Sequence, residues 1–209
     1  KKTGQKTKNN MCGIIGAASS RNVGKLLVQG LHKMEYRGYD SAGIALHQKD
    51  SIFNLRTLGK VKLLEDGMIQ ERPKSKLGIA HTRWATHGKP SQENAHPHIS
   101  SDEIHIVHNG IIENYLELRE QLTVSGYEFT SETDSEVIAH LLHQHFKVSG
   151  NLLDAMHAAI KELDGAYAIA AIHVDDKNRL IVARNKSPLL IGVGIEENFA
   201  ASDPLALSQ

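Results

Sequence analysis

Met11-Cys12-Gly13-Ile14-Ile15-Gly16 is the stretch around which the rest of the chain is organised. Cys12 is the only cysteine in the 209 residues, and it directly follows a methionine. If the chain were cut after Met11, this cysteine would carry both a thiol and a free α-amine, which titrates at about 7.7–8.0. A thiol is a good nucleophile once ionised, so Cys12 would supply a nucleophile and its own general base. The alternative is a small buried hydrophobic side chain, which is the more usual state of a lone cysteine.

The charge balance and the cysteine count limit the class of protein. Lys plus Arg and Asp plus Glu both number 24, so the net charge is zero. This balance gives no electrostatic sign of binding to nucleic acid or to an anionic membrane. A single cysteine excludes an internal disulfide framework and fits a reducing compartment. No apolar run approaches the roughly 20 residues of a membrane-spanning helix. We therefore expect a soluble, cytoplasmic protein.

Two parts of the chain differ in composition. Residues 1–10 contain four lysines and no side chain suited to a core, which is typical of a tag, a vector remnant or an upstream extension. Residues 11–209 have the length of one ordinary domain with room for a sizeable core.

Apolar periodicity in this domain alternates between strand-like and helix-like segments. Predicted strands cover 12–18, 41–47, 52–58, 77–83, 104–108, 166–174, 179–184, 189–194 and 198–202. One predicted helix follows Asn22, which serves as its cap, and three others cover 59–70, 112–122 and 151–163. Another begins at a capping box formed by Thr133 and Glu136. The strand that starts at Ile104 is predicted to stop at Asn109-Gly110, a strong turn signal. Helices in the middle and hairpins on either side predict a layered α+β domain.

Two arginine-containing segments have competing interpretations. Arg37-Gly38-Tyr39-Asp40 has the composition of a turn that ends a helix, and a surface arginine is its ordinary interpretation. The segment 81–88 places Arg83 beside Trp84 and hydroxyl side chains, and a guanidinium offers a carboxylate a bidentate fork. The alternative for that segment is a strand end with a solvated arginine and a tryptophan in the core.

Asn109, Gly110 and Asp134 each have a structural and a chemical interpretation. Asn109-Gly110 is either a plain turn or an oxyanion hole, in which the side-chain amide and the Gly110 N–H point to a developing negative charge. Asp134 lies in the first turn of a predicted helix, where it either complements the helix dipole or pairs with a substrate ammonium group.

The 13 histidines raise the question of a metal site. His96 and His98 are two residues apart, and His140, His143 and His145 lie on one predicted helix, but the i to i+5 spacing turns His145 away from the shared face. The chain has no second cysteine and no His-Glu-x-x-His motif. We expect no catalytic metal, and a His-based metal-binding module remains an alternative.

Six motifs in this order resemble the class II, or N-terminal-nucleophile, glutamine amidotransferase domain. They are Met-Cys-Gly-Ile-Ile-Gly at 11–16, Tyr-Arg-Gly-Tyr-Asp-Ser-Ala-Gly at 36–43, His-Thr-Arg-Trp-Ala-Thr-His-Gly at 81–88, Asn-Ala-His-Pro-His at 94–98, His-Asn-Gly-Ile-Ile-Glu-Asn at 108–114 and Ser-Glu-Thr-Asp-Ser-Glu-Val at 131–137. The resemblance runs from Met11 to Leu207. It is strongest for the branch of the family that transfers ammonia to fructose-6-phosphate. It implies a four-layer αββα sandwich with two antiparallel sheets.

The resemblance also assigns roles to matched residues. It implies that Cys12 is the nucleophile with its own α-amine as base, and that Asn109 and Gly110 hold the oxyanion. It implies that Arg83 binds the glutamine α-carboxylate, with Thr86 and His87 nearby, and that Asp134 and the Gly110 carbonyl bind the α-ammonium group. It further implies that Trp84 lies on the loop that closes over glutamine, and that Arg37 and His96 lie in the same region. It implies neither a metal nor an organic cofactor.

The family continues beyond this sequence into the rest of the domain and two sugar-isomerase domains. The resemblance therefore implies that residues 11–209 are a truncated glutaminase half without isomerase activity, and that the full-length enzyme is a homo-oligomer. One alternative is the glutaminase domain of another class II amidotransferase with a different acceptor. The other is a domain that retains the fold without catalysis. The presence of the full set Cys12, Arg83, Asn109, Gly110 and Asp134 argues against it.

Overall fold

Two antiparallel sheets form the centre of the molecule. The computed structural model describes residues 12–84 and 88–208. The strands are β1 (Gly13–Ser19), β2 (Ser41–His47), β3 (Ile52–Leu58), β4 (Leu77–Arg83), β5 (His98–Ser100), β6 (Ile104–Ile112), β7 (Gly165–His173), β8 (Ile181–Asn185), β9 (Leu190–Gly194) and β10 (Glu197–Ala201). The six-stranded sheet has the order β3-β2-β4-β1-β10-β9, and the four-stranded sheet has the order β5-β6-β7-β8.

Helices cover the outer face of each sheet. They are α1 (Gly24–Met34), α2 (Val61–Glu71), α3 (Tyr115–Val124), α4 (Glu136–Ser149) and α5 (Leu152–Ala159), with short 3₁₀ segments at Glu35–Arg37 and Pro204–Leu207. One apolar core joins α1 and α2 to the six-stranded sheet, and a second joins α3, α4 and α5 to the four-stranded sheet. A third core lies between the two sheets. The predicted four-layer α+β sandwich is therefore confirmed.

The alternation of side chains along each strand decides which core a residue joins. On β1, Ile14 packs between the sheets, whereas Ile15 packs under the helices. On β6, Val107 lies between the sheets and Ile106 packs under the helices. Because alternate residues of a strand share one face, the inner face of β4 continues from Ile79 through residues 81 and 83. This periodicity directs polar side chains from both sheets towards one another at the strand ends.

The prediction that β6 stops at Asn109-Gly110 was wrong. The strand continues through this dipeptide to Ile112, and Asn109 and Gly110 pair with Ala168 and Tyr167 of β7. The long strand β7 pairs with the backbone of these residues, and this pairing overrides their local preference for a turn. The short strand β5 was not predicted, because three residues are too few to show a period.

The predicted capping box before α4 was also wrong. The helix begins at Glu136, and its carboxylate accepts hydrogen bonds from Thr130 and from the N–H and hydroxyl of Ser131, all in the preceding loop. The Thr133 hydroxyl instead contacts Nε2 of His98 at 3.0 Å. The helix predicted over 151–163 is observed as α5, which ends at Ala159, and the Asn151 side chain caps its start by accepting hydrogen bonds from the N–H groups of residues 153 and 154. No helix in the described part of the chain is long and apolar enough to cross a membrane.

Candidate active site

Cys12 lies immediately before β1, beside the end of β4. Gly13 pairs with Thr82, and this register brings Cys12 next to Trp84. The Trp84 backbone N–H donates to Cys12 Sγ at 3.2 Å, and the thiol is 3.5 Å from the Trp84 carbonyl oxygen. Enclosure of the thiol raises its pKa, although the Trp84 N–H and the nearby Arg83 guanidinium act in the opposite direction. The thiol therefore needs a base to become a nucleophile at neutral pH.

The Asn109 side chain reaches Cys12 from the four-stranded sheet. Its Nδ2 donates to the Cys12 carbonyl oxygen at 3.0 Å, and its Oδ1 accepts a hydrogen bond from His81 Nε2 at 2.9 Å. The neighbouring Gly110 has a φ of 128°, and a Cβ there would meet the Ala166 carbonyl oxygen at 1.9 Å. Only glycine fits this backbone position without displacing β7.

Two buried side chains of opposite charge line the same space. Arg83, at the end of β4, donates from Nη2 to the Gly88 carbonyl oxygen at 3.0 Å, and its Nη1 lies 3.6 Å from Asp40 Oδ1. Asp134 accepts a hydrogen bond from the Ile112 N–H at 2.8 Å, which fastens its carboxylate to the end of β6. The cation is thus held by the six-stranded sheet and the anion by the four-stranded sheet.

These groups surround one narrow cavity. Its lining residues are Cys12, Arg83, Trp84, His96, His108, Gly110, Thr133, Asp134 and Ser135. Burial lowers the pKa of His108 to about 4 and that of His96 well below its ordinary value, so both imidazoles are neutral at physiological pH. The charged groups in the lining are therefore Arg83 and Asp134. A cavity lined by a thiol, one cation and one anion suits a zwitterionic substrate such as an α-amino acid.

Comparison with known proteins identifies the family. A family model described as a glutamine amidotransferase domain matches residues 81–209, which is more than half of the chain. The chain belongs to the glutamine amidotransferase family.

Relatives of this amidotransferase domain include the glutamine--fructose-6-phosphate aminotransferases [isomerizing] of Legionella pneumophila (strain Paris) and Pseudomonas aeruginosa. Both are 54% identical to the chain, over 198 residues (94% of the chain) and 200 residues (95%) respectively. The chain spans about a third of the length of these curated relatives, 33% in both cases. The solved structure of glutamine phosphoribosylpyrophosphate amidotransferase from B. subtilis aligns with a TM-score of 0.80 and 28% identity, over 94% of this chain and 43% of that one.

The structure brings together most of the residues that the motifs suggested for the amidotransferase site. Thr86 and His87 lie outside the described residues. Arg37 does not line the cavity; its Nη1 donates to Asp203 Oδ2 at 3.0 Å, and both side chains are largely buried. The ring of Trp84 lies against Gly38, where an added Cβ would meet it at 2.5 Å. The functional roles of all these residues stay predictions.

Several residues of the site were not singled out from the sequence. His81 and His108 occur inside quoted motifs, but nothing in their spacing showed that one would contact Asn109 and the other line the cavity. Asp40 and Gly88 hold the Arg83 guanidinium through contacts that depend on the loops between strands. The contacts of His81 with Asn109 and of Arg83 with Asp40 join segments that are far apart in the chain.

The histidines of α4 each have a partner within the protein. His140 Nδ1 contacts the Ser100 hydroxyl at 2.9 Å, and His143 Nδ1 contacts the Tyr127 hydroxyl at 3.0 Å. His145 lies 2.6 Å from a Glu162 carboxylate oxygen. Within residues 12–84 and 88–208, no group of three or more His, Cys, Asp or Glu side chains is arranged to hold a metal ion.

Proposed function

We propose that this amidotransferase domain hydrolyses L-glutamine to glutamate and ammonia through a glutamyl thioester on Cys12. The observation that carries the proposal is the shared cavity, which is lined by Cys12, Gly110, Arg83 and Asp134. Arg83 would bind the α-carboxylate of glutamine, and Asp134 with the Gly110 carbonyl would bind its α-ammonium group. Thr86, His87 and Trp84 would complete the binding site, with Arg37 and His96 in supporting positions.

The first half of the reaction forms the thioester. A base removes the Cys12 thiol proton, and the sulfur attacks the side-chain amide carbon of glutamine. The oxygen of the tetrahedral intermediate takes the negative charge, and the Asn109 Nδ2–H and the Gly110 N–H would stabilise it. The carbon–nitrogen bond then breaks, and the proton removed from the thiol leaves with the nitrogen as ammonia.

The second half of the reaction releases glutamate. Water attacks the thioester carbon, a second oxyanion forms in the same position, and the carbon–sulfur bond breaks to regenerate the thiol. We assign the base in both halves to the α-amine that Cys12 would carry as the first residue of a processed chain, acting through a water molecule. No metal or organic cofactor has a role in this scheme.

A glutaminase assay on the processed chain tests the proposal. Cys12→Ala should abolish glutamate release without changing the unfolding midpoint, and 6-diazo-5-oxo-norleucine should add one adduct, at Cys12. Cys12→Ser serves as a matched control, because it retains a weaker nucleophile of similar size. Turnover by the alanine variant at a tenth or more of the original rate would rule out Cys12 as the nucleophile.

We further propose that the full-length protein uses this ammonia to convert fructose-6-phosphate to glucosamine-6-phosphate. The support is the 54% identity to aminotransferases of that name, against 28% to an amidotransferase that uses phosphoribosylpyrophosphate. The domain would comprise residues 11–209, with residues 1–10 outside it. Its partners would be the isomerase domains of the full-length chain, in a cytoplasmic homo-oligomer. Production of glucosamine-6-phosphate from glutamine and fructose-6-phosphate by the full-length protein is the test, and phosphoribosylamine formation from phosphoribosylpyrophosphate would favour the other acceptor.

A further inference from the structure

The orientation of the Asn109 amide depends on a residue from the opposite sheet. Asn109 lies on β6, and the group that binds its Oδ1 is His81 Nε2 on β4, at 2.9 Å. At the other end of the amide, Nδ2 donates to the Cys12 carbonyl oxygen at 3.0 Å. An amide nitrogen carries two N–H groups, so one remains for a substrate oxygen after the bond to Cys12 is made. The amide is therefore fixed at both ends.

The hydrogen bond defines which nitrogen of His81 carries the proton. Because Asn109 Oδ1 can only accept, Nε2 must be the donor, and a neutral imidazole then has no proton on Nδ1. The ring is 1% exposed, and it packs against His96 with 4.1 Å between ring centroids. Burial lowers the pKa of His81 to about 3, so the ring stays neutral over the pH range of the reaction. The tautomer is therefore constant.

Rotation of the Asn109 amide by 180° would remove its use in the reaction. The side-chain oxygen would then face the Cys12 carbonyl oxygen, and two acceptors would meet without a proton between them. The same oxygen would also repel a negative charge that develops beside the thiol. The rotated amide would also direct an N–H at the His81 Nε2–H, where two donors would meet. Rotation would therefore lose a hydrogen bond both at His81 and at the Cys12 carbonyl oxygen.

We propose that His81 is a positioning residue, whose Nε2–H holds the Asn109 amide with its nitrogen directed at Cys12 and the substrate carbonyl oxygen. This inference rests on the proposed glutaminase function and adds a residue to it. His81 does not touch the substrate in this scheme. Its contribution passes through Asn109, and this property separates it from a residue that only supports the fold.

Two substitutions of similar size and polarity test the hydrogen bond. The amide nitrogen of Gln reaches about as far as Nε2 of histidine, whereas that of the shorter Asn reaches only about as far as Nδ1. We expect His81→Asn to lower kcat for glutamine hydrolysis at least about 10-fold with KM within about 3-fold, because the lost interaction acts on the transition state. His81→Gln should retain kcat within about 3-fold. Equal losses in the two variants would overturn the proposal.

A double-mutant cycle separates positioning from support of the fold. In an Asn109→Ala background, His81→Asn has no amide left to orient and should change kcat by less than about 2-fold. A purely structural role predicts the same fold-loss in both backgrounds, and that result would also overturn the proposal. All variants are made in the preparation that hydrolyses glutamine, and their thermal midpoints are compared.

A measurement without turnover distinguishes failure of this inference from failure of the proposed function. The two side-chain N–H signals of Asn109, assigned in ¹H–¹⁵N spectra by their loss in Asn109→Ala, report the environment of the amide. They should shift in His81→Asn and stay near their original positions in His81→Gln. An unsubstituted chain without glutaminase activity would contradict the proposed function, whereas unchanged signals in His81→Asn would contradict the positioning role.

Discussion

At the scale of single residues, the chemistry of Cys12 depends on what precedes it. In a chain that begins at Lys1, the Cys12 nitrogen is an amide without a basic lone pair, and enclosure raises the pKa of the thiol. We expect this form to be glutaminase-inactive or severely slowed, and a chain that begins at Cys12 to be active. Two preparations with confirmed intact masses provide the comparison. Equal rates of glutamate release would show that the α-amine is not the base.

Recognition of the two charged groups on the α-carbon of glutamine also depends on single residues. Loss of the Arg83 fork or of the Asp134 carboxylate leaves a substrate charge unpaired, at a cost of roughly 2–5 kcal/mol in a desolvated site. Arg83→Lys and Asp134→Asn should each lower kcat/KM for glutamine at least about tenfold. If Asp134 only complements the dipole of α4, the substitution should leave kinetics unchanged and alter the unfolding free energy by less than about 1 kcal/mol.

At the scale of elements, Gly110 controls how closely β6 approaches β7. A Cβ at this position would overlap the Ala166 carbonyl oxygen, and the backbone φ of 128° is itself unfavourable for other residues. Gly110→Ala should therefore lower the unfolding free energy by at least about 2 kcal/mol, from overpacking and backbone strain together. Urea denaturation measures this change.

Gly150 supplies the matched control for that substitution. It follows α4 with a φ of 63°, and an added Cβ would meet nothing within 4 Å. Gly150→Ala therefore tests the cost of positive φ without a steric clash. Equal destabilisation by the two alanines would show that the close approach of the strands does not constrain the site.

The elements also show what sequence patterns can and cannot predict. The hairpin of β2 and β3 was predicted with its observed bounds, because alternation and a polar turn are both local signals. The extent of β6 was not, since Asn109-Gly110 looks like a turn until β7 is present to pair with it. Ordered motifs were enough to suggest Cys12, Arg83 and Asp134 as site residues. The bond between His81 and Asn109 could not be found, because it requires the packing of one sheet on the other.

At the scale of the whole molecule, buried histidines link stability to pH. Burial lowers the pKa of His81, His98 and His105 to about 3 and that of His108 to about 4, against about 6.5 in an unfolded chain. Between these values the unfolded chain binds more protons than the folded one, so stability is fully present above about pH 6.5 and is lost as the pH falls.

Urea denaturation between pH 7.5 and 5 measures this linkage. The unfolding free energy should decrease as the pH is lowered. The slope should be about 1.4 kcal/mol per pH unit for each proton taken up on unfolding. His105→Asn should reduce the limiting slope by about one proton, because His105 is one of the buried imidazoles. A free energy that is constant over this range would show that these rings have the same pKa in the folded protein as in the unfolded chain.

The location of the two charged groups gives the substrate a mechanical role. Arg83 ends a strand of one sheet, and Asp134 is fastened to a strand of the other, so a glutamine whose α-carboxylate and α-ammonium group bind to them would tether the two halves of the sandwich. In a Cys12→Ala variant that does not turn over, glutamine at 100 times its Kd should raise the unfolding free energy by about 2.7 kcal/mol. 4-Aminobutanamide, which lacks the carboxylate and can hold only one half, should give far less protection at the same concentration. The occupied enzyme would then resist separation of its sheets, and an enzyme starved of glutamine would open and be degraded sooner.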